Sequence, residues 1–148
     1  MRALAVCLAA VAALATGCRD DTAPAWDYPR LTAALNALTA ALAHSCATVQ
    51  PDHCADSLDR LDPLAHRAFT EVLDHRLLDQ ACLDAERDVR RARALRRAAA
   101  VHARARPDLL HPALEQAVAA EQAAYRRLLA ALDTVRTAPP PAGPTQPV

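Results

Sequence analysis

Two short runs carry the side chains best suited to chemistry. His44-Ser45-Cys46 and Asp52-His53-Cys54 bring two imidazoles, two thiols and a carboxylate into a stretch of eleven residues. Thiolates with imidazoles suit zinc or cuprous copper, but this spacing matches no familiar zinc pattern. Two thiols across a short corner can instead oxidise to a disulfide, which persists in an oxidising compartment and staples a small core. A third thiol, Cys82, lies 19 residues beyond Pro63, or about 28 Å along a straight helix. It reaches Cys46 only if the helices are strongly offset. The corner therefore reads first as a Cys46–Cys54 disulfide with Cys82 a buried free thiol, although spacing alone leaves other pairings open. A metal or redox module on His44, Cys46, His53 and Cys54 is the alternative, and no cofactor is expected. His66, His75, His102 and His111 are widely spread and read as surface or helix-end residues.

The second chemical feature is charge. All 17 basic residues are Arg, a usage that fits a GC-rich coding bias. Eight of them fall between Arg87 and Arg106. Beside a membrane such a stripe would suit anionic lipid, lipopolysaccharide phosphate or an acidic protein. Ten acidic residues lie between Asp52 and Asp88, however, so the stripe reads first as a solvated or salt-bridged face. Total charge is balanced at 17 basic against 17 acidic residues, which argues against general nucleic-acid binding. Catalysis has little support. Beyond the N-terminal segment the only serines are Ser45 and Ser57, and no Gly-rich phosphate loop is present. Carboxylates are numerous but sit on a polar helix face, whereas an enzyme needs preorganised groups around a pocket. The expectation is a protein that is not an enzyme.

The N-terminus states where the chain belongs. Arg2 is followed by an apolar run from Ala3 to Ala15, then by Thr16, Gly17 and Cys18. This is the three-part plan of a secretory signal, and the run is shorter than the ~20 residues of a membrane-spanning helix. Leu14-Ala15-Thr16-Gly17-Cys18 resembles the lipobox of bacterial lipoproteins, with Ala15 where Leu is commoner. The resemblance covers only the first 18 residues. It implies diacylglyceryl transfer to the Cys18 thiol, cleavage between Gly17 and Cys18, and acyl chains that hold the protein on a membrane. An ordinary signal peptide cleaved near Ala15 or Gly17 is the other reading of the same residues. Arg19, rather than Asp, follows Cys18; by the sorting rule of enteric lipoproteins this favours the periplasmic face of the outer membrane over the inner membrane.

These residues need elements to position them, and the composition names the class. Only two glycines occur, Gly17 and Gly143, and Asn36 is the single Asn. Sheet turns draw on such residues for positive φ, so the chain should be all-α. We divide it into a signal peptide (1–17), a lipidated tether (18–29), a helical bundle (30–137) and a disordered Pro-rich tail (138–148). Leu31, Leu35, Leu38 and Leu42 form a narrow seam that predicts a first helix over Leu31–Val49, with Ser45 in one slot. Pro51 should break the chain in a corner over 50–55, with a short extra helix over 56–61. Asp62-Pro63 then looks like an N-cap and first helical position. The absence of Gly and Pro beyond it predicts one long helix to about Ala105, bent near 82–86, with Leu64, Phe69, Val72, Leu73, Leu77, Leu78, Leu83, Val89 and Leu95 as its apolar residues. His111-Pro112 restarts the pattern. Leu114, Val118, Glu121, Tyr125, Leu128, Leu132 and Val135 hold the four-three spacing. Glu121 is a polar guest in that seam, placed either to meet an Arg of the long helix or to lie at the seam's edge in water. The expected architecture is a small antiparallel bundle of three main helices. Trp26 in the tether should pack on the bundle end.

The function that follows is a membrane-anchored periplasmic lipoprotein that binds a protein partner in the envelope. In general plan it is similar to secretion pilotins, exclusion lipoproteins of conjugative systems and periplasmic immunity proteins, with no motif of theirs matched. A structural lipoprotein reaching the cell wall through its Pro-rich tail is a further alternative.

Overall fold

The structure, a computed structural model, describes residues 28–46, 51–74, 79–107, 109 and 111–138. The expectations for the signal peptide, Cys18, Trp26, Val49, Leu77, Leu78 and the tail from 139 onward lie outside the described residues. The described chain is an all-α bundle: α1 (Tyr28–His44), α2 (Pro51–Asp59), α3 (Leu61–Asp74), α4 (Gln80–Ala105) and α5 (Pro112–Thr137).

Several boundaries differ from the periodicity, the first being that α1 starts at Tyr28, within the expected tether and ahead of Leu31. The first helix ends at His44 and not at Val49, because Cys46 turns into the left-handed region at φ 60°. Pro51 opens α2 and does not break a corner; a first-turn residue has no intrahelical acceptor for its N–H, so Pro loses nothing there. The same reasoning lets α3 start at Leu61 with Pro63 in its first turn. The expected long helix is two helices. Asp79 takes an extended conformation (φ −96°, ψ 172°), and its carboxylate accepts a hydrogen bond from the Cys82 N–H at 2.8 Å. That is an N-cap, and it starts α4 afresh where no Gly or Pro announces a break.

Packing follows the seams. α5 is the central helix and touches each of the other four; α4 lies antiparallel along it, and α1 pairs with α3. All seven seam residues of α5 are buried, as are Leu31, Leu35, Leu38 and Leu42 of α1. α3 contributes Phe69 and Val72. α4 contributes mostly small side chains, Ala85, Ala92, Ala100 and Ala103, beside Cys82 and Val89. Its other apolar residues face outward: Leu83 and Leu95 are 40% and 59% exposed. So is Leu73 of α3, at 49%. A helix with a narrow Ala face can approach α5 closely, yet buries little apolar area per residue.

Candidate functional site

The thiol corner is built by the end of α1 and the start of α2. Cys46 and Cys54 form a disulfide with their Cα atoms 4.2 Å apart. The Cys46 backbone sits where a residue with a Cβ loses about 1–2 kcal/mol relative to ordinary helix, a position helices normally give to Gly. Before it, Ser45 donates through its backbone N–H to the Ala41 carbonyl at 2.9 Å and through Oγ to the Leu42 carbonyl at 2.7 Å. The disulfide thus fixes the end of α1 in a segment without glycine. His44 and His53 are both exposed, and the His44 ring Nδ1 lies 2.7 Å from the Ala40 carbonyl. With both sulfurs bonded to each other, the thiolates of the metal reading are used up in this oxidation state. Among the described residues, no group of three or more His, Cys, Asp or Glu is arranged to hold a metal ion.

The strongest constellation is ionic and lies in the core. Glu121 of α5 is fully buried and Arg96 of α4 nearly so. Arg96 Nε donates to Glu121 Oε2 at 2.5 Å, and its Nη2 donates to Asp59 Oδ1 of α2 at 2.5 Å. Arg97 reaches the same Asp59 oxygen at 3.4 Å. One turn away, Arg93 pairs with Asp62 of α3, and the Tyr125 hydroxyl donates to Asp62 at 3.3 Å. One face of α4 therefore ties α2, α3 and α5 together through two guanidiniums. Burial raises the Glu121 carboxyl above its ordinary value, and the Arg96 hydrogen bond and charge offset only part of that. Burial also pushes Asp59 up, but the Arg96 hydrogen bond and charge, with Arg97 behind them, outweigh it and hold Asp59 low. The difference follows exposure: the Asp59 side chain is 44% exposed and the Glu121 side chain 0%. Glu121 Oε1 has no hydrogen-bond partner among the described residues.

Glu121 in the α5 seam was legible as a polar guest, and it does meet an Arg of the stretch expected as the long helix, now part of α4. Which Arg was missed, although the signal existed. Arg96 stands ten residues before Arg106, and Glu121 ten residues after His111. In a hairpin of two helices joined over that connection, equidistant residues face each other. Of the other seven Arg in the 87–106 stretch, four are in ion pairs, Arg93 and Arg97 among them. Arg87 binds Asp84 at 2.8 Å and Arg90 binds Glu86.

Cys82 is fully buried and free. Desolvation pushes its thiol up to about 12, with the Asp79 carboxylate adding to the effect. Such a thiol carries almost no thiolate at neutral pH and is a poor nucleophile. No helix among the described residues is long and apolar enough to cross a membrane. No protein-family model, curated protein or solved structure matches this chain. The functional reading therefore rests on the residues themselves.

Proposed function

We propose that this chain is a lipid-anchored protein of the bacterial envelope whose bundle binds another protein and catalyses nothing itself. The observation that carries the anchoring is the run Leu14-Ala15-Thr16-Gly17-Cys18, with Cys18 as the acylated residue. Two or three acyl chains hold a protein stably on a membrane, whereas one gives marginal binding. The binding role is supported by how the interior is spent. Among the described residues the thiols are paired or buried, and the buried charges close on one another to join helices. That is the economy of a scaffold, in which the outer surface does the work. Arg19 supports the periplasmic face of the outer membrane as the site of residence.

The test has two stages. Labelled palmitate should enter the full chain in a bacterial host and not the Cys18→Ser variant, which should also leave the membrane fraction. Equal labelling of both chains would sink the anchor. In-cell crosslinking followed by purification of the anchored chain should then recover a defined envelope protein. Recovery of nothing beyond what an unrelated anchored helical bundle recovers would remove the binding role.

A further inference from the structure

The exposed side of α4 carries a second seam that none of the described residues covers. Ala94, Ala98, Val101 and Ala105 recur at spacings of four, three and four, the period of a helix-packing seam. All four are exposed, Val101 by 64%. The buried side of α4 is a different set, carried by Ala92, Arg96, Ala100 and Ala103. Along one edge of the outer seam, Arg90, Arg97 and Arg104 recur every seven residues, the place where a coiled coil puts its partner-selecting charges. From Val89 to Arg106 there is no acidic residue.

The geometry points to this face of α4 as the docking surface for an acidic amphipathic helix of a partner protein, with partner carboxylates along the Arg90–Arg97–Arg104 edge. It rests on the protein-binding role proposed above and names the partner's chemistry. Three alternatives are weaker on the same observations. A membrane surface calls for bulky side chains that insert among acyl chains; three of the four seam residues are Ala, which suits a closely approaching helix. A second copy packed antiparallel would set the Arg row against its own like-charged row. Packed parallel, it would meet Asp88, Leu95 and His102, which offer one carboxylate for three guanidiniums. The ion pairs that two members of the row already make are exposed ones. Arg90 with Glu86 and Arg97 with Asp59 involve guanidinium side chains 74% and 55% exposed, and such pairs exchange readily with a partner's carboxylates. Arg104 has no ion pair among the described residues.

The probe is a synthetic amphipathic helix about three heptads long, with Glu at every flanking position; its twin carries Lys there instead. Binding to the full chain bearing Cys18→Ser is read by fluorescence anisotropy at low salt. The Glu peptide should bind and the Lys peptide should not. Arg90→Glu/Arg97→Glu/Arg104→Glu should weaken the Glu peptide by about tenfold or more, the size expected from reversing three charge pairs, and Val101→Glu, which sets a carboxylate in the apolar seam, should separately weaken it. The triple reversal should also gain binding to the Lys peptide, a rescue that misfolding cannot produce. Helical circular dichroism should be unchanged, since every altered residue is exposed. Equal binding of the two peptides, or indifference to Val101→Glu, overturns the proposal. Stronger, Val101-dependent binding to phosphatidylglycerol–phosphatidylcholine vesicles than to the Glu peptide overturns it in favour of a lipid surface. If the crosslinked envelope partner is recovered equally with wild type and Val101→Glu, this surface is wrong while the binding role stands. Recovery of no partner at all fails the binding role itself.

Discussion

Removing Arg96 should cost more than removing either of its partners, and the structure sets the order. In Arg96→Met the Glu121 carboxylate is left in a site that is 0% exposed, with one oxygen already lacking a partner. Water cannot reach it without opening the α4–α5 interface. Breaking a buried pair by removing one member costs about 3–5 kcal/mol, a large share of the ~5–15 kcal/mol by which a domain is stable. Glu121→Leu should cost less, because Arg96 keeps Asp59 at 2.5 Å as counter-ion. Asp59→Ala should cost least, about 1 kcal/mol, since that carboxylate is 44% exposed and its pairing is screened. The double variant Arg96→Met/Glu121→Leu removes both charges and fills the space with apolar atoms. It should recover most of the single-variant loss, giving a coupling of about 2–3 kcal/mol. The assay is urea unfolding followed by helical circular dichroism, with wild type and the four variants compared at one pH. Additive losses, or an Arg96→Met cost no greater than that of Asp59→Ala, would refute the reasoning that burial makes this cluster interdependent.

Other consequences follow from the same geometry. Reducing the Cys46–Cys54 bond, or replacing both with Ser, should lower stability by about 2–3 kcal/mol, the loop-entropy value for so short a closure; an unchanged unfolding midpoint in reductant would show that the bond does not hold the α1–α2 corner. In a Cys7→Ser/Cys18→Ser chain, Cys82 should resist a thiol reagent at mildly alkaline pH until urea unfolds the protein; rapid labelling of the native chain would place Cys82 at the surface. Acid should act through the two carboxyls in opposite senses. Glu121, raised above its ordinary 4.5, contributes stability that is full below that value and lost as pH rises through its raised one. Asp59, lowered from 3.8, contributes stability above that value and loses it as pH falls further. The stability of wild type relative to Glu121→Gln should therefore rise on going from about pH 7 to about pH 5; parallel curves for the two chains would contradict the buried, desolvated Glu121.

Much of this protein could be read without its fold. The near absence of Gly and Asn excluded sheets, because positive-φ turns had no residue to make them. The seams of α1 and α5 were visible because burial on one helix face forces apolar residues into a four-three spacing, and Cys46–Cys54 was visible because a short corner needs little reach. The proposed anchor rests on the Leu14–Cys18 run, a pattern of local residues that needs no fold to be read. Tertiary structure decided what depends on a partner in space. The long helical stretch ends at Asp74 and starts again at Gln80 on the Asp79 cap, and no periodicity registers one capping hydrogen bond. Pro51 read as a breaker, yet it sits in the first turn of α2, and Pro63 lies in a first turn as read, in a helix that starts two residues earlier at Leu61. The disulfide, by holding Cys46 in the left-handed region, ended α1 before its apolar pattern ran out. Of eight similar Arg in the 87–106 stretch, only the hairpin geometry chose Arg96 for the buried carboxylate and turned Arg90, Arg97 and Arg104 outward. Identical side chains differ in role only through the environment that packing gives them.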